Sequence, residues 1–142
     1  MKILFVNPSL RPGSNHVFLP VGLGYVMTFV KKHGYKFDLL DIDIANYSNE
    51  YVEKYFIKNK FDVICLGSIV THYSWMKWCI NTIKKYQPET KVIVGNSVGG
   101  SIPEVLFQKS KVKLCRKSVV KFLSANIKTR RRTSSSKSVR LG

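Results

Sequence analysis

Four short apolar runs, three stopped by glycine, asparagine or proline and one ending among aspartates, and separated by stretches of helical periodicity, limit what this chain can fold into. They are Lys2 to Val6, the Phe37, Leu39, Leu40 and Ile42 run, Asp62 to Leu66, and Lys91 to Val94. None alternates cleanly between apolar and polar residues, which marks strands covered on both faces, as in a parallel sheet. Val21 to Lys32 places Val21, Tyr25, Val26, Phe29 and Val30 at helical spacing, with His33-Gly34 as the stop. Ser48 is a candidate cap for a helix holding Tyr51, Val52, Tyr55 and Phe56, with Tyr51 stacked on Tyr55 one turn away, and Asn59-Lys60 ends it. Tyr73 to Tyr86 is the third helix, closed by Pro88, and Pro103 opens a short fourth one through Phe107.

Strands that alternate with helices in this way pair in parallel through crossovers, because each helix carries the chain back to the starting edge. The expected fold class is therefore α/β: a doubly wound, flavodoxin-like (Rossmann-like) parallel sheet of four or five strands, with helices on both faces. Ligands of such sheets lie at the carboxyl ends of the strands, near the reversal of strand order. At 142 residues the chain is long enough for one core and short for two.

The net charge of +16 divides unevenly. Residues 1–108 hold 12 Lys/Arg and 8 Asp/Glu, a balance of +4, whereas residues 109–142 hold 12 Lys/Arg and no acid, a balance of +12. The first part reads as the α/β domain. Residues 109–127 read as an edge strand at Val112, Leu114 and Cys115 followed by a marginal helix, and residues 128–142 as a disordered basic Lys/Arg/Ser tail. Such a tail releases phosphate counterions whatever the base sequence, so polyanion or nucleic-acid binding is the alternative function; the composition favours a solvated tail over it. Cys65, Cys79 and Cys115 form no Cys-x-x-Cys pair, and two of them fall in apolar patterns. They are expected to be reduced, buried thiols of a cytoplasmic protein. No apolar run nears the ~18 residues of a membrane span, and no secretory leader pattern is present, so no membrane role is expected.

Gly22-Leu-Gly24 invites a dinucleotide reading, but the third glycine is missing and the pair stands well beyond the turn after the first strand. Glycines that permit close packing at a helix start are the preferred explanation. A phosphorelay receiver needs acids at the end of the first strand to hold a divalent cation, and Asn7-Pro8 supplies none. Asp38, Asp41 and Asp43 cluster at the second strand's end, as solvated groups or as one hydrogen bond to a ligand. His16, His33 and His72 have no metal-ligand spacing. Ser68 and Thr71 follow the third strand, where their hydroxyls serve equally well as ligand contacts or as caps of the next helix. Trp75, Met76, Trp78 and Cys79 fit a helical core face. No nucleophile, base and oxyanion site assemble in order, so catalysis by this chain alone is not expected.

Several pieces, in this order, carry a resemblance: Lys2-Ile-Leu-Phe-Val-Asn-Pro8, Leu19-Pro20-Val-Gly-Leu-Gly24-Tyr25, and His33-Gly34-Tyr35 leading to Leu39-Leu40-Asp41. Phe61-Asp62-Val-Ile-Cys-Leu-Gly67-Ser68 with Thr71 follows, then Val92-Ile-Val-Gly95 and Ser101-Ile102-Pro103-Glu104. Together they make residues 1–108 similar to the cobalamin-binding domain at the N-terminus of many radical S-adenosylmethionine enzymes. The resemblance implies cobalamin as cofactor, held by Asn7, Pro8, Gly22, Asp41, Gly67, Ser68, Thr71, Gly95, Asn96, Ser97 and Gly99. The glycine pair usual after the fourth strand stands here as Gly95-Asn96, and the following Pro-His as Ser97-Val98, with Gly99-Gly100 keeping the loop small. The Asp-x-His-x-x-Gly motif of cobalt-ligating relatives is absent, so no metal ligand is implied and His16 is not one. The Cys-x-x-x-Cys-x-x-Cys motif is also absent, which implies no iron–sulfur cluster in this chain. A truncated, frameshifted or stand-alone cofactor module is expected, with any radical S-adenosylmethionine barrel in another polypeptide.

Overall fold

The computed structural model describes residues 1–11, 13, 20–101, 104, 105 and 108. The elements run β1 (Ile3–Asn7), α1 (Val21–Lys32), β2 (Phe37–Asp41), α2 (Ile42–Ala45), α3 (Asn49–Lys58) and β3 (Val63–Gly67). A 3₁₀ turn (Val70–His72), α4 (Tyr73–Tyr86), β4 (Lys91–Gly95) and α5 (Asn96–Ser101) complete them. The four strands form one parallel sheet in the order β2-β1-β3-β4. This is the expected doubly wound α/β architecture, and strand order reverses between β1 and β3. A fifth strand at Val112 to Cys115, the helix over 119–127, the basic tail, Pro103, Phe107 and His16 all lie outside the described residues.

Strand parity sorts the apolar residues into two cores. Leu4, Val6, Ile64, Leu66, Val92 and Val94 face α3 and α4, where they meet Val52, Phe56, Met76, Cys79, Ile80 and Ile83. Ile3, Phe5, Val63, Cys65 and Ile93 face the other way and meet Val30 of α1, with Leu23, Val26 and Met27 half-buried around them. Met76 and Cys79 are core residues as their spacing suggests, while Trp75 and Trp78 pack at the core's margin.

Local chemistry sets the boundaries. The Ser48 hydroxyl accepts from Tyr51 N–H and caps α3. Gly34, at φ 77°, ends α1: its N–H reaches the Lys31 carbonyl and that of Tyr35 reaches Val30, the paired reverse bonds of a left-handed helix stop. Four local readings change. Ile42 leaves the second strand and begins α2, because the Asp41 carboxylate accepts the Ile44 N–H and caps a helical turn. Tyr51 stacks on Tyr47, with centroids 3.9 Å apart, rather than on Tyr55, which lies against Phe56 and Phe61. Val21 and Tyr25 point to solvent, at 56% and 76% exposure, so the inward face of α1 is Leu23, Val26, Met27 and Val30. The small-residue segment after β4 winds into α5 rather than forming an open loop, starting from Asn96 at φ 59°. Asparagine tolerates that left-handed backbone because its side chain bonds locally, here through Oδ1 accepting from Ser97 N–H at 2.8 Å.

Candidate functional site

A row of strand-end residues crosses the top of the sheet. In register, Asn7 of β1 lies beside Asp41 of β2, and Gly67 of β3 beside Gly95 of β4. The Asn7 side chain, 8% exposed, donates from Nδ2 to Asp41 Oδ1 at 3.1 Å. That oxygen also accepts from Ile44 N–H, so Asp41 holds Asn7 and caps α2. Gly67 and Gly95 form a flat step. A Cβ built on Gly67 meets the Asn96 Cβ at 3.7 Å and one on Gly95 meets the Leu66 carbonyl at 3.9 Å, which are ordinary contacts. Among the described residues, neither glycine is required by protein packing or by a left-handed backbone, which leaves bare backbone at these two strand ends.

Above and beside this row opens a cavity of about 500 Å³. Its floor is Phe5, Val6, Asn7 and Pro8 from β1 and its exit, and Cys65, Leu66, Gly67 and Ser68 from β3. Gly95 and Asn96 close one side, Asp43 of α2 lies at the lining, and Leu10, Pro20, Gly22, Leu23 and Val26 form the other wall. The cavity therefore occupies the reversal point between β1 and β3, where doubly wound sheets take their ligands, and extends beneath the N-terminal half of α1. Among the described residues, added Cβ atoms at Gly22 and Gly24 meet nothing within 4 Å. Close packing against these residues does not explain them, and Gly22 stands in the cavity wall. Both sit inside α1 rather than in a turn preceding it, which removes the geometry a pyrophosphate would need.

Of the residues singled out from sequence, Asn7, Pro8, Gly22, Gly67, Ser68, Gly95 and Asn96 come together on this lining. Asp41 acts one step behind, through Asn7. Thr71 is exposed on the 3₁₀ turn, and Ser97 and Gly99 lie in α5, off the lining, with Gly99 buried. Neither Ser68 nor Thr71 caps a helix: no side chain caps the 3₁₀ turn or α4. Ser68 is 2% exposed, and its Oγ bonds His72 Nδ1 at 3.1 Å. Asp43, weighed in the sequence as a solvated group or a ligand contact, is on the lining; sequence reasoning missed Cys65, Leu23 and Val26. The last two stand beside Gly22 at helical spacing, a signal available in the sequence.

The lining is mostly apolar, and its one charged side chain among the described residues is Asp43. No lysine or arginine among the described residues lines it. Burial pushes the Cys65 thiol up to about 12, so the cavity wall carries a neutral thiol, and the same cause raises Cys79. Burial also lowers His72 below its ordinary 6.5. Among the described residues, no group of three or more His, Cys, Asp or Glu side chains is placed to hold a metal ion. No helix among them is long and apolar enough to cross a membrane.

The site so built suits a bulky, largely apolar ligand with polar edges: a glycine step for a flat body, an apolar slot under α1, and a few oxygen acceptors. Comparison with known proteins bears on which ligand. A family model described as B12 binding domain matches residues 14–114. The structure is similar to that of a radical S-adenosylmethionine methyltransferase, TsrM, from Kitasatospora setae, solved with cobalamin and a [4Fe-4S] cluster. The TM-score is 0.61 at 16% identity, over 75% of this chain and 20% of that one. The same enzyme with tryptophan substrate and a SAM analogue bound superposes with a TM-score of 0.62, again at 16% identity, over 75% of this chain and 21% of that one. The chain thus spans about a fifth of that enzyme's length. A CheY-like protein, TadZ, from Pseudomonas aeruginosa PAO1 shares the fold with a TM-score of 0.56 at 10% identity, over 91% of this chain and 98% of that one. No curated protein matches the sequence.

Proposed function

The chain belongs to the B12-binding domain family, and from that membership we propose that its strand-end cavity holds cobalamin. The observation that carries the proposal is the paired Gly67 and Gly95, level with each other on adjacent strands, where the described residues would admit a side chain at ordinary contact distance yet none is present. A corrin ring is broad and flat, so it lies against bare backbone there. Asn7 and Ser68 would bond carboxamides at its edge, and the slot lined by Phe5, Leu23, Val26 and Cys65 would take an apolar part of the cofactor. When bound, cobalamin supplies a cobalt centre able to carry an alkyl group; the protein supplies binding, orientation and exclusion of water.

We further propose that the domain is not catalytic alone and serves a radical S-adenosylmethionine barrel in another polypeptide, in the cytoplasm. Supporting this, exposed apolar residues flank the cavity: Val21 and Tyr25 on α1, and Ile69 and Val70 after Ser68, at 40–76% exposure. A covered cofactor needs such a rim, since apolar side chains grouped beside a site mark an interaction surface. The cluster-binding cysteine motif is absent from the sequence, so the iron–sulfur centre is assigned to the partner.

The test is retention of the chromophore. Protein mixed with hydroxocobalamin or methylcobalamin and then desalted should carry corrin absorption near one equivalent. Protein that elutes without the chromophore, under both reducing and oxidising conditions, contradicts the proposal.

A further inference from the structure

The Ser68 hydroxyl, nearly inaccessible yet part of the cavity lining, spends its protein hydrogen bond on His72 Nδ1 at 3.1 Å and caps no helix. The imidazole is itself fixed. It stacks on Trp75 with centroids 5.3 Å apart and planes 6° from parallel. The Trp75 indole N–H donates to Asn49 Oδ1 at 3.0 Å, which ties the stack to the first residue of α3. Asn49, Trp75 and His72 therefore form a rigid chain from the outside of the α3–α4 layer to one hydroxyl in the cavity. Residues four apart on a turn need no such support to pack. Its effect is on the hydroxyl proton, because a serine oxygen can either donate to or accept from a ligand, depending on where that proton goes.

We propose that His72 is a positioning residue for the cavity: it takes the Ser68 proton on Nδ1, so that Ser68 turns an acceptor oxygen toward a ligand N–H. The direction agrees with the rest of the lining. Asn7 gives one of its two amide N–H groups to Asp41 and also carries an amide oxygen at the lining, where Asp43 brings a carboxylate. An acceptor oxygen at Ser68 favours a ligand edge that offers amide N–H over one that offers carboxylate oxygens. Burial and the N-terminal end of α4 both oppose a charged imidazole there, which keeps Nδ1 able to accept. The ligand side of this inference rests on the cobalamin reading above; the Ser68–His72 bond does not.

A double-mutant cycle tests it. His72→Phe keeps a ring against Trp75 and removes Nδ1; Ser68→Ala removes the hydroxyl. Each should weaken hydroxocobalamin binding about five-fold, the worth of one hydrogen bond, with an unchanged thermal midpoint for the purified protein. In the Ser68→Ala background, adding His72→Phe should cost no further affinity, because His72 acts only through Ser68. Independent losses that multiply would show His72 touching the ligand itself and overturn the proposal, as would a His72→Phe protein that binds like wild type. His72→Gln, whose carbonyl can accept the same proton, should recover part of the loss. Nitrogen-15 spectra of the ring give a readout without ligand: the proton should sit on Nε2, and Ser68→Ala should shift Nδ1. If wild type binds no cobalamin, the functional reading and the ligand half of this inference fall together. A ring that carries its proton on Nδ1, or is indifferent to Ser68→Ala, overturns the positioning half by itself.

Discussion

The two faces of the sheet are built to different standards. On the α3–α4 face, helix residues such as Val52, Phe56, Met76, Ile80 and Ile83 are wholly buried against the strands. On the α1 face, Val30 is the one buried residue of the helix, and its N-terminal half carries two glycines, two exposed apolar side chains and the wall of a cavity. The lesson, on the function proposed above, is a division of labour: one layer supplies stability and the other trades packing for a ligand.

The largest effect belongs to the solid face. Phe56→Ala should lower unfolding stability by about 3–5 kcal/mol, as an aromatic deleted from a closed core does, whereas Leu23→Ala, half-buried at the cavity wall, should cost under about 1 kcal/mol. Urea denaturation of the two variants checks this, and equal losses would erase the distinction. Gly95→Trp comes next. It should leave far-ultraviolet dichroism folded and abolish cobalamin retention, because its side chain fills the space above the glycine step; a folded variant that still retains the cofactor would move the site elsewhere.

Gly22→Leu should separate the two roles within one helix. A leucine in place of a helical glycine gains up to about 1 kcal/mol of stability, while the same side chain raises the cavity wall and weakens cobalamin binding about tenfold. Melting and binding measured on one sample should therefore move in opposite directions. Gly24→Ala, off the lining, should stabilise without touching affinity.

The division was only half legible in the sequence. Val21–Lys32 and Tyr73–Tyr86 could be delimited from periodicity and their stops, and β3 and β4 extend one residue past the apolar runs, onto Gly67 and Gly95. The row of strand ends followed from the same stops. Hidden were the features that depend on three dimensions. Four residues are too few to show a helical period, so α2 was masked, and with it the capping role of Asp41. Apolar residues on both sides of α1 left its inward face ambiguous, and Val21 and Tyr25 suggested the wrong one. Cys65 points into the cavity because of strand parity, which says nothing until the face holding the cavity is known. Glycines also read as packing devices until the described residues are seen to leave the space around Gly22 empty.

The smallest effect is in pH. His72 has a folded-state pKa below 6.5, lowered by burial. The unfolded chain therefore binds the proton more readily, and the contribution of the neutral ring is fully present above pH 6.5 and lost as pH falls through that value toward the folded one. Urea midpoints between pH 7.5 and 5 should decline in wild type, and less steeply in His72→Gln. An identical slope in both proteins would show that this ring has no part in the decline.

Amide hydrogen exchange with and without hydroxocobalamin tests the division most directly. Added cofactor should slow exchange in the N-terminal half of α1, at the β1 exit around Asn7, at Gly67 and Ser68, and at Asn96, while α3 and the body of α4 keep their apo rates. Protection that spreads evenly over both faces, or that falls at the opposite end of the sheet around Asp62 and Thr90, would contradict a cofactor site on the loosely packed side of this fold.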